Sequence, residues 1–517
     1  MTTPRRRRTR VLGAILLVAL AAALSLAAAS SLPLRAAPDT SARIFFTLRH
    51  NPHFQFGRDE FAWWLERAED WKFDGIAFEL AWNAVERKNG EFDFRVYDKK
   101  IQEMVDRGFA LQVKLNLRYF PSDLGAGEQM LSADGTPLLV RLHLGETGTP
   151  TLSEPAVVER MADFARAVAR HFKEKGFPVE SYCPHVDWGL ETGYDGRVWT
   201  DWSPSAVEDF RVHLRKKYDT VEALSDAWGT SFSAWEEVGI AFDGKPVAPG
   251  APDLRPGYLD FVSYREATLK RFVERIGKGL REGDPEARLA VQVARLYHGE
   301  APMRGGVGIF SWAAAADEII VDPAPVDDAI AAVDGIRAAG ILPGAEVTGP
   351  AEYSLYRVDF EKGFRSQLRA VVQAGAKRVY VANFTKADIE GFPFARQEVL
   401  KAKGTPAIPP LQQVAIYHSK WDLYAYHGHG YPELAFRPQD ALLRPIDVIT
   451  DDMFLGNPAM LARYKIIYVP RGDFVSDEAL EKLRASGARL VSPRGEFARH
   501  DEFGAPRAES EDGRGKR

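Results

Sequence analysis

Four glutamates stand where short apolar runs give way to polar residues. They are Glu79 at the end of Gly75–Leu80, Glu191 just past Val186-Asp187-Trp188-Gly189-Leu190, Glu346 in Pro343–Val347, and Glu390 in Ile389-Glu390-Gly391-Phe392. Two carboxylates facing each other across a cavity can cleave a glycosidic bond. One protonates the leaving oxygen and the other attacks the sugar or activates water; retaining enzymes hold the pair ~5–5.5 Å apart. Burial beside a like charge and an apolar wall such as Trp188 would raise the pKa of the acid. Glu191 and Glu346 are the pair that the strand order described below sets opposite one another. Ordinary loop carboxylates bound to arginines are the alternative at this stage.

Other chemistries find less support. His50, His53, His185 and His298 lie near strand ends, but no His-x-x-x-His or Glu-x-x-His spacing accompanies them, so no metal or organic cofactor is expected. There is no Gly-x-Ser-x-Gly elbow and no phosphate-binding loop. The single cysteine, Cys183, excludes a disulfide framework and reads as packing just ahead of a fourth strand. Further polar and aromatic side chains near strand ends are candidates for a binding pocket: Trp82, Asn83, Asn116, Arg118, Trp188, Tyr194, Tyr297 and Asn383. Trp82 and Trp188 stand out as stacking platforms, because a flat ring suits the apolar face of a pyranose.

The elements that must position these residues follow from hydrophobic periodicity. Strands are predicted at Ile44–Leu48, Gly75–Leu80, Ala110–Leu117, Pro184–Trp188, Leu289–Ala294, Glu318–Val321, Pro343–Val347 and Arg378–Val381. Amphipathic helices are predicted at Arg58–Trp71, Arg95–Asp106, Pro155–Lys175, Ser205–Tyr218, Leu259–Arg281, Ala329–Ala339 and Glu361–Gln373. Eight strands alternating with helices imply a (β/α)8 TIM barrel over residues 43–403, with active-site residues at the C-terminal strand ends. A Pro/Gly-rich linker at 404–410 leads into a smaller α/β domain, 411–497, with strands at Gln413–Tyr417, Ile446–Ile449, Lys465–Val469 and Arg489–Val491. Residues 498–517 end in a charged run with no apolar face and read as a disordered tail.

The chain of 517 residues carries 67 Lys+Arg against 72 Asp+Glu, and this acidic balance argues against nucleic acid as the main partner. At the N-terminus Arg5–Arg8 and Arg10 precede an apolar stretch from Val11 to Ala29. Residues 1–42 therefore read as a signal peptide or membrane anchor of an exported protein, extracellular or held at the cell surface.

Two stretches carry a family resemblance. Phe78-Glu79-Leu80-Ala81-Trp82-Asn83-Ala84-Val85-Glu86, followed by Asn89-Gly90-Glu91-Phe92-Asp93-Phe94, resembles the second-strand segment of clan A glycoside hydrolases, particularly the family 42 β-galactosidases. Val221-Glu222-Ala223-Leu224-Ser225-Asp226-Ala227-Trp228-Gly229 with Trp235 continues the likeness. The resemblance implies a retaining β-glycosidase acting on an oligo- or polysaccharide. It makes Glu191 the acid/base, Glu346 the nucleophile and Glu390 a sugar-binding glutamate. It also implies that the small domain is flavodoxin-like, of the amidotransferase-like kind that mediates trimerisation in that family; with no cysteine there, it is no working amidotransferase.

The chain departs from the family at three places. Leu190 stands where clan A enzymes place Asn before the acid/base, Pro393 stands for a histidine after strand eight, and an arginine near the end of strand two is missing. Lost sugar contacts of this kind motivate two alternatives: a non-catalytic carbohydrate-binding or scaffold barrel, and an envelope transglycosylase using the same residues.

Overall fold

The computed structural model describes residues 42–507 apart from 49–57, 89, 125–128, 143–144, 187–190, 195–197, 246, 248–250, 294–303, 307, 323–325, 356–358, 412, 429–445, 494–496 and 503. The N-terminal leader, except for Ala42, lies outside the described residues. Among the described residues no helix is long and apolar enough to cross a membrane.

Eight strands form one parallel sheet: β1 (Arg43–Leu48), β2 (Gly75–Ala81), β3 (Ala110–Asn116), β4 (Val179–His185), β5 (Ala290–Val293), β6 (Glu318–Val321), β7 (Leu342–Thr348) and β8 (Arg378–Ala382). Their order is β4-β3-β2-β1-β8-β7-β6-β5. The two edges meet through a parallel bridge between Tyr182 and Leu289, which turns the sheet into a barrel. Strands β2, β3, β5, β6 and β8 are buried at every position, as a sheet covered on both faces requires.

Alternation along each strand then decides what fills the barrel. Phe45, Ala77, Ala110, Cys183, Ala290, Ile320 and Tyr380, one from each strand except β7, pack together as a separate apolar cluster. On β7 the corresponding place falls to Gly344, where an added Cβ would come 2.9 Å from Ile320 Cγ1. One pleat further along, at the C-terminal ends, the inward residues are polar: Lys114, His185, Gln292 and Glu346 are all buried.

Around the sheet run α1 (Arg58–Asp70), α2 (Arg95–Asp106), α3 (Pro155–Lys175), α4 (Pro204–Tyr218), α5 (Val221–Trp228), α6 (Pro256–Gly283), α7 (Val326–Ala338), α8 (Phe360–Ala374) and α9 (Pro393–Lys403). Their starts follow local chemistry. The Ser203 hydroxyl accepts from the Ala206 amide at 3.2 Å and Pro204 occupies the first turn of α4. The 28-residue α6 packs against α3 closely enough that a Cβ on Gly279 would lie 2.6 Å from the Ala162 carbonyl oxygen.

Periodicity placed the fourth strand at Pro184–Trp188, whereas it runs over Val179–His185, and Cys183 lies within it. The earlier residues escaped notice because their inward side chains are polar. Ser181 donates to Glu318 at 3.0 Å across the barrel, so the strand carries no apolar run to mark it.

Beyond the barrel, β9 (Val414–His418), β10 (Asp447–Thr450), β11 (Ile466–Tyr468) and β12 (Arg489–Val491) form a four-stranded parallel sheet in the order β10-β9-β11-β12. Helix α10 (Asp477–Ala485) is capped by Ser476. This unit docks on α6 and α7: Tyr258 donates to the Tyr424 carbonyl at 2.9 Å and Arg337 pairs with Asp447 at 3.0 Å. The tail expected to be disordered from residue 498 is ordered through 507 wherever it is described. His500 bridges to Phe474 and Pro506, and the Arg507 guanidinium donates to the Val475 carbonyl at 2.7 Å and pairs with Asp477. A single guanidinium with several donors thus ties down a segment that lacks an apolar face.

Candidate active site

The polar layer at the barrel's C-terminal end is built around Glu346. Its position on β7 points it inward, and it is 1% exposed. Gln292 on β5 donates from Nε2 to Glu346 Oε2 at 3.0 Å and also to Asp322, the residue that follows β6. Lys114 on β3 donates to Gln292 Oε1 at 3.1 Å, and its Nζ lies 3.8 Å from Glu346 Oε2. The ammonium and the amide therefore converge on one carboxylate oxygen in a site shielded from water. A carboxylate held this way is fixed in position, as an attacking group on an electrophilic carbon must be.

Glu191 is 8% exposed and lies on the seam where the barrel closes. Its carbonyl accepts from the Val186 amide at 3.1 Å, and the next residue, Thr192, donates its amide to the Gln292 carbonyl at 2.7 Å. The Gln292 amide returns a bond to Thr192 Oγ1 at 3.2 Å, and the Thr192 hydroxyl donates to the Pro184 carbonyl at 2.5 Å. The segment bearing Glu191 is thus fastened to the strand whose side chain holds Glu346.

Of the other expected site residues, Glu79 and Asn116 meet: Asn116 Nδ2 donates to Glu79 Oε2 at 3.0 Å, and both are buried. Arg118, just past β3, is 2% exposed with its guanidinium 5.7 Å from the Tyr119 ring. Asn383 has a positive φ of 60° and donates to Thr348 Oγ1 at 3.0 Å at the end of β7. Tyr194 is 1% exposed, with its ring 4.1 Å from the Arg265 guanidinium and its amide donating to the Gly305 carbonyl at 2.9 Å. Burial raises the pKa of its hydroxyl.

Two expectations meet a different surrounding. Trp82, proposed as a stacking platform, is fully buried beneath the mouth: its indole N–H donates to Glu86, and its ring lies 5.9 Å from Phe164 and 5.8 Å from the Arg160 guanidinium. No face of it is open to a sugar. Its neighbour Asn83 is exposed and held through its amide to the Tyr119 carbonyl at 2.7 Å. Glu390 is exposed on the short helix Lys386–Gly391 after β8, and Pro393 opens α9. Trp188, Tyr297, Asp187 and Leu190 lie outside the described residues.

Cys183 is fully buried, and burial pushes its thiol up to about 12, which leaves it an inert packing residue. Among the described residues no group of three or more His, Cys, Asp and Glu is placed to hold a metal ion. Sequence reasoning missed Lys114, Gln292 and Asp322. The available signal was the period-two polar series Gln112, Lys114, Asn116 on a strand whose alternate residues are Leu111, Val113 and Leu115.

The family 42 model, described as beta-galactosidase, matches residues 75–331. Beta-galactosidase BbgII of Bifidobacterium bifidum is 24% identical over 161 residues, which are 30% of this chain and 21% of that protein. Beta-galactosidase bgaB of Geobacillus kaustophilus is 24% identical over 167 residues, 31% of this chain and 23% of that one. The matched region thus spans under a quarter of each relative. Among solved structures, a beta-galactosidase from Bacillus circulans sp. alkalophilus superposes with a TM-score of 0.70 at 15% identity, covering 90% of this chain and 73% of that one. An exo-carrageenase from Bacteroides ovatus superposes with a TM-score of 0.66 at 14% identity, covering 90% and 66%. Over residues 75–331, just under half of its length, the chain is thus similar to the family 42 glycoside hydrolases, and it shares the barrel fold of their solved structures.

Proposed function

We propose that the protein is an exported retaining glycoside hydrolase that cleaves a β-linked galactoside or a closely related glycoside. The observation that carries this reading is Glu346, buried at the C-terminal end of β7 and held by Gln292 and Lys114 on one oxygen. In the first half-reaction a Glu346 oxygen bonds to the anomeric carbon as the bond from that carbon to the leaving oxygen breaks, and Glu191 passes its proton to the leaving oxygen. In the second half, water bonds to the same carbon, the ester to Glu346 breaks, and Glu191 takes the water proton. The basic and apolar leader supports export to the cell surface or beyond. Assembly into a trimer is a further expectation from the family resemblance.

The test is hydrolysis of an aryl β-glycoside panel by the wild type and by Glu346→Gln. Loss of at least ~10³-fold in kcat is expected for the nucleophile. Undiminished turnover by that variant would sink the assignment. A carbohydrate-binding barrel without hydrolysis is the second reading, and one observation favours it: Leu190 stands where clan A enzymes place the Asn that binds the sugar. Sugar binding with no turnover of any panel member by the wild type would establish that reading instead.

A further inference from the structure

We infer that Lys114 sets the balance between the two half-reactions, as a positioning residue acting through Glu346; the inference rests on the reading of Glu346 as nucleophile. Its side chain is 1% exposed in the polar layer of the barrel, 3.8 Å from Glu346 Oε2 and hydrogen-bonded to Gln292 Oε1 at 3.1 Å. Gln292 donates to the same Glu346 oxygen at 3.0 Å. One hydrogen-bond donor and one nearby cation are thus fixed about Oε2 before any substrate arrives.

A buried ion pair is a poor way to gain stability, since apolar residues of similar volume often serve as well or better. Part of the barrel interior shows that an apolar filling is available to this sheet, because Cys183, Ile320 and Ala290 pack together there, although Arg378 and Glu318 form a second buried pair. The ammonium gains meaning from the charge changes at Glu346. When Glu346 bonds to the anomeric carbon, its negative charge is consumed, and an adjacent cation opposes that step. When water displaces the ester, the bond from carbon to Glu346 breaks and the electron pair returns to the carboxylate, where the same cation favours it. Lys114 therefore retards formation of the glycosyl-enzyme, hastens its hydrolysis and keeps the covalent intermediate short-lived. A lysine with only a packing role would not move the two steps in opposite directions.

The test uses 2,4-dinitrophenyl 2-deoxy-2-fluoro-β-D-galactopyranoside on the full chain. The labelled residue is located by peptide mass spectrometry, excess reagent is removed, and recovery of activity is followed with time. Wild type is compared with Lys114→Met, Lys114→Gln and the charge-retaining Lys114→Arg. Reactivation about tenfold slower in the two neutral variants, inactivation no slower than wild type, and recovery of the wild-type rate to within about threefold in Lys114→Arg are expected. Absence of label on Glu346 in the wild type overturns the nucleophile reading and this inference with it. Label on Glu346 with reactivation unchanged in a folded neutral variant overturns the inference alone. Failure of both neutral variants to fold, judged by near-UV circular dichroism, overturns it in favour of a structural ion pair.

Discussion

Thr192 and Gln292 are joined in both directions, Thr192 N–H to the Gln292 carbonyl at 2.7 Å and Gln292 N–H to Thr192 Oγ1 at 3.2 Å. One residue precedes this clasp to reach Glu191, and one side chain extends from it to reach Glu346. The two carboxylates thus share a support only a few bonds long. Removing the Thr192 hydroxyl leaves the Pro184 carbonyl and the Gln292 amide without that buried partner. Thr192→Val should cost ~1–3 kcal/mol of stability and lower kcat about tenfold or more through loosened geometry. Urea unfolding together with steady-state kinetics checks both. A variant that loses stability but keeps wild-type kcat would separate the clasp from catalysis.

Gln292→Leu removes the amide that holds Glu346 and that also binds Asp322 and Lys114. Three polar groups then lose a partner in a buried layer. A fall of ~10²-fold in kcat with little change in KM is expected, because the Gln292 amide is buried and bonded to protein groups. A rise in KM with kcat intact would place Gln292 in substrate binding instead.

In the proposed mechanism Glu191 is the acid, and it matters there in proportion to how badly the leaving group needs a proton. Glu191→Ala should lose ~10²–10⁴-fold in kcat/KM on alkyl glycosides and far less on 2,4-dinitrophenyl glycosides, whose leaving oxygen departs without protonation. Added azide should raise turnover and yield a β-configured glycosyl azide, since a small anion can enter the space of the missing carboxylate. An equal loss on both leaving groups would move the proton donor elsewhere in the barrel.

How far the sequence carried this picture can be judged residue by residue. The barrel was legible because its strands are short apolar or β-branched runs between amphipathic helices: β6 falls where the sequence put it, at Glu318–Val321, and β7 extends the expected Pro343–Val347 by one residue at each end. Glu346 could be singled out because it stands near the C-terminal end of a predicted barrel strand, opposite Glu191, though an ordinary arginine-bound carboxylate was the alternative. Lys114 sits in the same kind of run, but a lysine between Val113 and Leu115 also reads as the exposed side of an alternating strand. Only closure of the sheet puts that side inside. Trp82 illustrates the opposite error. Position at a strand end suggested a sugar platform, but the chain turns directly into the short helix Trp82–Val85, which carries the indole under the mouth and onto Glu86. Sequence spacing says how far a residue lies along a strand and not which way the chain turns after it.

Trp82 is therefore expected to behave as a core residue. The Glu86 carboxylate, 1% exposed, takes hydrogen bonds from the Trp82 indole, the Arg160 guanidinium at 3.1 Å and the Gly90 amide at 2.8 Å. Trp82→Phe keeps most of the ring volume and deletes one donor to a buried charge. A stability loss of ~1–3 kcal/mol with KM unchanged is expected from thermal or chemical unfolding beside kinetics. A KM raised tenfold with stability intact would return Trp82 to the list of sugar contacts.

The small sheet carries a pH dependence of its own. His418, at the end of β9, is 1% exposed, and burial pushes its pKa down to about 3; His213 on α4 is shifted the same way, to about 4, also by burial. In the folded chain both imidazoles stay neutral at pH values where the unfolded chain, with an ordinary histidine pKa near 6.5, takes up protons. The unfolded state then binds more protons, so stability falls as pH drops below about 6.5 and the His418 contribution levels off only near pH 3. Between pH 7 and 4.5 His418 alone should account for about 2–3 kcal/mol, two pKa units at ~1.4 kcal/mol each. Replacing it by Gln, which cannot take a proton, should make the urea midpoint less sensitive to acid by that amount, whatever its effect at pH 7. The decisive quantity is the difference between the two slopes of stability against pH. Parallel slopes for wild type and His418→Gln would mean that this imidazole is protonated in the folded chain after all, and that the acid sensitivity resides elsewhere.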